Sequence, residues 1–209
     1  MLMLCSNGLT SPAALYALLP YVQKNSTAAV VVTADPEYKE KNYHVPRSVQ
    51  ELEGLGFSVR TVDIDTDGCE TLQSYDAVEF IGGNPFYLLH ALLKRNGKDI
   101  LLSIAKRKIL IGWSAAAFVF GPTLELVNRY SPEMNTVGIR DLTALGLTDI
   151  QVLPHYSRFL TRFDGFEEIC TSYEREKGIH VIRLNDGDGV VIDGKKTVVF
   201  RQDHPEQIR

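Results

Sequence analysis

Short apolar runs alternate with helix-like stretches along most of the chain, and this alternation limits the possible folds more than any other feature of the sequence. The apolar runs are continuous, as expected of strands buried on both faces of a sheet, and the clearest cover residues 2–5, 28–33, 77–81 and 108–112. Helix-like stretches are predicted over residues 12–23, 38–55 (with an interruption near Pro46), 86–94 and 114–120. Repeated strand–helix units predict a parallel sheet covered by helices on both faces.

The pattern changes in the C-terminal part of the chain. Residues 121–148 are turn-rich, and from Gly178 onward three short strand-like runs are separated by Asp-Gly turns at 186–189 and 193–194. Because short strands joined by such turns are typical of hairpins, we expect antiparallel strands at one edge of the sheet. The 209 residues contain no linker rich in proline or serine, so residues 1–209 are predicted to form a single α/β domain with a mostly parallel sheet.

Composition and charge exclude several classes of function. The formal net charge is −4, and the densest basic run is only residues 106–108. Nucleic-acid binding requires a clustered cationic surface, so no nucleic-acid partner is expected. No apolar run approaches the ~18 residues of a membrane span, and residues 1–5 lack the features of a signal peptide. The three cysteines lack the spacing of a disulfide framework or a zinc site. We therefore expect a cytoplasmic protein that contacts no membrane and needs no metal or cofactor.

One apolar run ends in Gly112-Trp113-Ser114 and is followed by three alanines. A tight strand-to-helix turn needs small flanking residues, and it lifts the serine hydroxyl off the sheet. The turn also places the serine at a helix N-terminus, where free backbone N–H groups can stabilise an oxyanion. Ser114 is therefore a candidate nucleophile. The alternative is an ordinary N-cap serine, and the full G-x-S-x-G pattern is not met because residue 116 is alanine.

Two further segments are candidates for the same site. Residues 82–84 (Gly-Gly-Asn) lie between a strand and a helix, where two glycines allow close approach of the backbone, although such a pair is also common in ordinary turns. Loops at the carboxyl ends of neighbouring strands form the usual ligand crevice of an open α/β sheet. His155 ends an apolar run and precedes a loop, where a base would have to lie to face a nucleophile. Three other histidines are interpreted as structural or solvent-exposed: His90, His180 and His204.

The motifs occur in a characteristic order: Gly82-Gly83-Asn84, then Gly112-Trp113-Ser114-Ala115, then Pro154-His155-Tyr156. In this order and at this spacing, the sequence resembles the peptidase E and cyanophycinase family of serine peptidases over nearly its whole length. The opening Leu4-Cys5-Ser6-Asn7 and the closing Leu184-Asn185-Asp186-Gly187 are also similar to the family. The G-W-S-A segment is the most specific part of the resemblance.

The resemblance implies a three-layer α/β/α sandwich, as in class I glutamine amidotransferase-like proteins. It implies Ser114 as the nucleophile, His155 as the general base and Asp186 as the carboxylate that orients the histidine. The backbone N–H groups implied for the oxyanion hole are those of Gly82, Gly83 and Ala115. The residues expected to bind substrate are Asn84, Arg158 and Arg162. A guanidinium binds a carboxylate bidentately, although the two arginines are also compatible with an ordinary polar surface.

The sequence departs from the family pattern at three positions. Ile81 stands where the family has the first glycine of its loop, and Ala116 replaces the glycine two residues after the serine. Both are expected to add a Cβ near the oxyanion hole. Asp186 replaces a glutamate and is one methylene shorter, so it would need a small shift to reach the imidazole. An aspartate that the family carries shortly after the elbow falls near Arg129 here, which removes that alternative carboxylate.

The expected function is that of a serine dipeptidase. It would hydrolyse short acidic peptides, with an N-terminal aspartate, through an acyl-enzyme, and act as a monomer or homodimer. Two alternatives remain open at this point. One is a catalytically silent binding protein of the same fold, and the other is a non-peptidase serine hydrolase such as an esterase.

Overall fold

The structure, a computed structural model, describes residues 1–203. Its main element is a seven-stranded sheet in the order β3-β2-β4-β5-β1-β8-β9. Neighbouring strands from β3 to β1 are parallel, β8 is antiparallel to β1, and β9 is antiparallel to β8. The strands are β1 (Leu2–Cys5), β2 (Thr27–Val31), β3 (Ser58–Val62), β4 (Ala77–Phe80), β5 (Ile109–Trp113), β6 (Gln151–Leu153), β7 (Val181–Arg183), β8 (Gly189–Asp193) and β9 (Lys196–Phe200). The predicted mostly parallel sheet with antiparallel C-terminal edge strands is confirmed.

Helices cover both faces of the sheet. They are α1 (Pro12–Leu18), α2 (Val45–Gly54), α3 (Ile64–Asp67), α4 (Pro85–Leu93), α5 (Gly97–Arg107), α6 (Ala115–Phe120), α7 (Glu125–Tyr130), α8 (Tyr156–Arg162) and α9 (Phe166–Lys177). Short 3₁₀ turns lie at Leu19–Tyr21, Lys39–Lys41, Glu70–Ser74 and Pro132–Met134. Within residues 1–203, no helix has the length and apolar character needed to cross a bilayer.

The strands divide the apolar side chains between two cores because successive residues point to opposite faces. In β1, Leu2 and Leu4 join a core with residues of α4, α5 and α6. Met3 and Cys5 point the other way and join a core with residues of α1 and α2. The three-layer α/β/α architecture follows directly from this division.

The helix predicted over residues 38–55 is shorter than expected. Only α2 is α-helical, and Pro46 lies in its first turn instead of interrupting a longer helix. This position suits proline, because the first backbone N–H groups of a helix have no intrahelical acceptor. The polar residues before it form only the 3₁₀ turn Lys39–Lys41. The helix predicted to run from Pro12 to residue 23 likewise ends as α-helix at Leu18.

The prediction that the run after Gly178 joins the C-terminal hairpin is wrong. β7 pairs in parallel with β6 in a separate two-stranded sheet, with Gln151 opposite Val181. The β6–β7 connection carries α8 and α9, so the two strands form a crossover unit of their own. The hairpin turn at 193–194 does join β8 to β9. The segment predicted as turn-rich also contains α7.

Candidate active site

Ser114 lies on a sharp turn between β5 and α6. Its backbone has φ 53° and ψ −112°, a conformation that L-residues rarely adopt and that surrounding structure must impose. The Ser114 amide donates a hydrogen bond to the Cys5 carbonyl at 3.2 Å, which ties the turn to the end of β1. The Ser114 hydroxyl does not cap α6. The geometry therefore fits a nucleophile elbow and not the alternative of an N-cap serine.

Two glycines make room for this turn. A Cβ on Gly112 would lie 2.5 Å from the ring of Phe120, so only glycine lets the first turns of α6 pack on β5. A Cβ on Gly82 would lie 2.7 Å from the Trp113 ring and 2.9 Å from the Ser114 Cβ. The backbone of the Gly82 loop therefore packs directly against the elbow, where an oxyanion hole for Ser114 would be needed.

His155 lies immediately after β6 and adopts a left-handed conformation with φ 57°. Its Nδ1 lies 2.6 Å from Asp186 Oδ1. Asp186 follows β7, so the parallel pair β6–β7 brings the two residues together at the same end of the small sheet. Despite being one methylene shorter than glutamate, Asp186 reaches the imidazole directly. Because Asp186 is hydrogen-bonded to Nδ1 of His155, Nε2 is the ring nitrogen that remains available to a serine hydroxyl.

Ser6, which sequence reasoning did not identify, joins this pair. The buried Ser6 hydroxyl donates to Asp186 Oδ1 at 2.9 Å and accepts from the backbone N–H of His155 at 2.9 Å. Ser6 follows β1, whereas His155 and Asp186 follow strands of the small sheet. One hydroxyl therefore fixes both the carboxylate and the backbone of the histidine. The motif Leu4-Cys5-Ser6-Asn7 contained the signal, but nothing local indicated what the serine would contact.

The electrostatic surroundings keep Asp186 ionised. Burial by itself raises the pKa of Asp186, but the hydrogen bond and positive charge of His155, the Ser6 hydroxyl and the Arg158 guanidinium together lower it to about 2. Arg158 Nη1 lies 3.3 Å from Asp186 Oδ2. The carboxylate therefore carries its charge throughout the neutral range, as a residue that stabilises an imidazolium must.

A cavity of about 480 Å³ opens at the carboxyl ends of β1, β4 and β5. Ser114 and His155 both line it, together with Gly82, Gly83 and Ala115. The hydrogen bonds of the His155 ring go to Asp186 and Ser6, and within the described part of the chain none joins it to Ser114. Catalytic serine–histidine contacts are often long without a substrate. The structure thus places the serine of the elbow, the His155–Asp186 pair and the backbone of the glycine loop around one cavity.

Residues 2–200 match the family model described as peptidase family S51. This chain belongs to peptidase family S51. The S51 protein is 31% identical over 185 residues to the uncharacterized peptidase Lmo0363 of Listeria monocytogenes, covering 85% of this chain and 87% of the relative. It is 29% identical over 118 residues to peptidase E of Shewanella sp. strain W3-18-1, covering 54% of this chain and 47% of that protein.

Two solved structures of bacterial proteins share this fold. A 1.5 Å crystal structure of a Listeria monocytogenes EGD-e protein, provisionally assigned as a peptidase E, superposes with a TM-score of 0.79 at 26% identity, covering 96% of this chain and 97% of the other. A peptidase from an acI-B1 actinobacterium shares the fold, with a TM-score of 0.69 at 18% identity. Sequence and fold together support a peptidase of family S51 that is similar to peptidase E.

Asn84 has a different role from the one predicted. Its side-chain oxygen accepts the backbone N–H groups of Phe86 and Tyr87, which caps α4, and its amide donates to the Met134 carbonyl at 2.7 Å. The side chain is thus occupied in holding the loop of residues 131–134, and Asn84 is not among the residues lining the cavity. Arg158 and Arg162 do line it. Arg158 also pairs with Asp186, and the Arg162 guanidinium lies over the Phe163 ring at 5.2 Å.

The expectation that Ile81 and Ala116 add atoms beside the oxyanion hole is wrong. Both side chains are fully buried, and neither is among the residues lining the cavity. Ile81 joins the core beneath α1 and α2, whereas Ala116 joins the core on the opposite face. At these two departures from the S51 pattern, the side chains therefore pack in the cores and do not line the cavity.

Basic side chains outnumber acidic ones among the described residues that line the cavity. The basic side chains lining it are His44, Arg47, His155, Arg158 and Arg162. Burial, together with the positive charges of Arg47, His155 and Arg158, lowers the pKa of His44. Glu133 is the one acidic side chain that lines the cavity in the described part of the chain. Sequence reasoning did not identify His44 or Arg47, because α2 reaches the cavity only through the fold.

The three cysteines of the chain are all buried, which bears on whether they could act as nucleophiles. Burial raises the pKa of the Cys5 thiol well above its usual value, and raises the pKa values of Cys69 and Cys170 to about 11. A thiol is reactive as the thiolate, so these cysteines are poor nucleophiles at neutral pH. Residues 1–203 contain no group of three or more histidine, cysteine or acidic side chains placed to hold a metal ion. His204, interpreted above as structural or solvent-exposed, lies outside the described residues.

Ser6 offers a test of the network around Asp186. Replacing Ser6 with alanine removes a hydrogen bond to a charged group, which is worth about 1.5–3 kcal/mol, so we expect kcat to fall by roughly 10- to 100-fold. KM should change little, because Ser6 is not among the residues lining the cavity. Steady-state kinetics on a peptide substrate measures both constants. Ser74→Ala, which removes an exposed hydroxyl bound to the Thr71 carbonyl, is the control. Equal kcat values for the two variants would contradict the role given to Ser6.

Proposed function

We propose that this S51 protein is a serine-type dipeptidase that hydrolyses short peptides with an N-terminal aspartate through an acyl-enzyme. The observation that carries the proposal is that the strained Ser114 elbow and the His155–Asp186 pair line or adjoin the same cavity. A strained elbow, a histidine held by a carboxylate and backbone donors at one crevice are the parts that acyl transfer requires.

The chemical steps follow from these positions. Ser114 Oγ attacks the carbonyl carbon of the scissile peptide bond and passes its proton to Nε2 of His155. Asp186 accepts a hydrogen bond from Nδ1–H, which fixes the tautomer and stabilises the imidazolium. The negative oxygen of the tetrahedral intermediate is bound by the backbone N–H groups of Gly82, Gly83 and Ala115. The imidazolium then protonates the leaving amine, and water activated by the same histidine hydrolyses the ester.

The charge of the wall supports an acidic substrate. A free N-terminal aspartate presents a side-chain carboxylate and an ammonium group within a few ångströms of the scissile carbonyl. Arg162 offers a guanidinium group to the carboxylate, and a guanidinium–carboxylate pair is among the stronger polar contacts in proteins. Arg47 adds positive charge to the wall, although its guanidinium already donates to the Asn7 carbonyl at 2.7 Å and pairs with Glu51. Glu133 offers the opposite charge to the ammonium group. This distribution favours a small, doubly charged N-terminal residue over a blocked or neutral one.

A dipeptide panel tests the preference. We expect kcat/KM for Asp-Leu to exceed that for Asn-Leu by roughly 10- to 100-fold, the value of one hydrogen bond to a charged group. N-acetyl-Asp-Leu should be cleaved more slowly than Asp-Leu, because acetylation removes the ammonium group. Equal rates for Asp-Leu, Asn-Leu and Ala-Leu would contradict the aspartate preference.

A fluorophosphonate probe distinguishes the alternatives to a peptidase. Such a probe labels an activated serine, so we expect stoichiometric labelling at Ser114 and none in a catalytically silent binding protein. Labelling without hydrolysis of any dipeptide, combined with cleavage of simple esters, would instead indicate a non-peptidase serine hydrolase.

A further inference from the structure

Glu79 is an acidic side chain in the middle of the sheet, and the proposed chemistry does not use it. It lies on β4 opposite Ile111 of β5, is completely buried, and faces the helical layer formed by α1 and α2. Burying a carboxyl group costs free energy unless its oxygens are fully hydrogen-bonded. Glu79 Oε2 has no hydrogen-bond partner among the described residues. An apolar side chain at this position would pack in the core without this free-energy cost, so packing alone does not explain the carboxyl group.

The other oxygen of Glu79 holds the indole of Trp113. Trp113 Nε1 donates to Glu79 Oε1 at 2.9 Å, and the Ser48 hydroxyl makes a longer contact of 3.4 Å with the same oxygen. Trp113 directly precedes Ser114 in the chain. The Glu79 carboxyl group therefore contacts the residue that immediately precedes the proposed nucleophile.

The Trp113 ring touches two other loops of the site. A Cβ on Gly82 would lie 2.7 Å from the ring, and a Cβ on Gly8 would lie 3.4 Å from its Nε1, so both backbones pack on the indole. Gly82 belongs to the proposed oxyanion loop, and Gly8 follows the loop that carries Ser6 to the His155–Asp186 pair. One indole therefore packs against two loops of the site and directly precedes the Ser114 elbow. A misplacement of about 1 Å in such a site can cost on the order of 100-fold in rate.

We propose that Glu79 is a positioning residue that holds the Trp113 indole and, through it, the Gly82 loop and the Ser114 elbow in their productive arrangement. The proposal rests on the proposed function, because the arrangement matters only if Ser114 carries out the chemistry. Glu79 touches neither substrate nor reacting atoms, so its effect belongs in kcat and not in substrate binding.

The buried position of Glu79 favours its neutral, protonated form. Burial and the negative charge of Glu51 raise its pKa to about 8, against the opposing effects of Trp113, Arg47 and Ser48. The charged and titratable groups around it are Glu51 and Arg47 on α2, Cys5 on β1, and His44, whose ring lies 5.1 Å from that of Trp113. Above about pH 8 a negative charge would appear in a buried site with one unpartnered oxygen, and the neighbourhood of Trp113 should rearrange.

Two substitutions separate hydrogen bonding from packing. Glu79→Met keeps a side chain of similar length but removes the acceptor, and we expect kcat on Asp-Leu to fall by roughly 10-fold or more with little change in KM. Glu79→Gln keeps a carbonyl acceptor for Trp113 Nε1, so its kcat should stay within about threefold of the wild-type value at pH 7. Gln151→Met is the matched control, because Gln151 is also a buried polar residue in a strand, and its side-chain amide has no hydrogen-bond partner within residues 1–203. Folded Glu79→Met with wild-type kcat would overturn the proposal.

Trp113 provides a readout that does not depend on activity. It is the single tryptophan of the chain, so its fluorescence reports this site alone. The emission of the wild type should change with a midpoint near pH 8, and Glu79→Gln should lack that transition. The kcat profile should lose its matching decline above pH 8 in the same variant. If the fluorescence transition is present but no peptide is cleaved, the proposed function fails and the Glu79–Trp113 contact stands. If Glu79→Gln keeps the transition and Glu79→Met leaves the Trp113 emission at pH 7 unchanged, the positioning role fails regardless of activity.

Discussion

Replacing Ser114 with alanine should lower kcat on an acidic dipeptide by on the order of 10⁴- to 10⁶-fold, the usual cost of removing a nucleophile from a catalytic triad. The fold should survive, because alanine at position 114 meets the same positive φ as serine and the Ser114 hydroxyl caps no helix. Labelling by a fluorophosphonate should disappear with the activity. Single-turnover or steady-state kinetics on the purified variant, with its thermal melt, measures both parts of the expectation.

Ser103→Ala is a matched control for this experiment. Ser103 lies on α5, whose residues are not among those lining the cavity, so the same chemical change there should leave turnover unaltered. Unchanged turnover in Ser114→Ala would refute the assignment of the nucleophile. The buried cysteines would be weak replacements, since burial raises the pKa values of Cys69 and Cys170 to about 11.

Much of the sheet could be predicted from sequence because the signals are local. Continuous β-branched and aliphatic runs indicated β2, β4 and β5, and the small residues on either side of Ser114 indicated the elbow. The pairing of β7 could not be predicted in this way. Its short apolar run is equally compatible with a hairpin, and only the helices α8 and α9 before it bring it alongside β6 in parallel.

The site shows the same distinction between local and long-range information. Ser114 and His155 were proposed because each follows a strand in a recognisable motif, and the structure places both at one cavity. Ser6 was missed because its partners lie 149 and 180 residues away in the chain. Asn84 was assigned to substrate because it follows the glycine pair, but an asparagine at that position is also a good N-cap, and capping α4 is what its side chain does. Glu79 was missed because a single acid in an apolar run gives no indication of what it will contact.

Asp186→Asn should lower kcat by on the order of 10²- to 10⁴-fold with little change in melting temperature. Asparagine tolerates the same turn backbone, but it lacks the negative charge that stabilises the His155 imidazolium, and its amide can hold the ring in the wrong tautomer. The Asp186 carboxylate that this substitution removes is ionised throughout the neutral range. His155, Ser6 and Arg158 outweigh burial and lower the pKa of Asp186 to about 2, below its ordinary value of 3.8. This contribution of the wild-type carboxylate is present above about pH 4 and is lost as the pH falls through 2, so the variant should be impaired across the whole neutral range.

Asp193→Asn is the control for this change, because Asp193 lies at the next turn of the same segment and its carboxylate accepts a hydrogen bond from Tyr21 at 3.1 Å. A structural role for Asp186 alone predicts similar activity in both variants, within about threefold of the wild type. A catalytic role predicts that they diverge by at least about 100-fold, since only Asp186 contacts the histidine. Ser6→Ala in the Asp186→Asn background then shows whether the two residues act together. Because the Ser6 hydroxyl and the His155 ring share one oxygen of Asp186, the second substitution should add much less than it does alone.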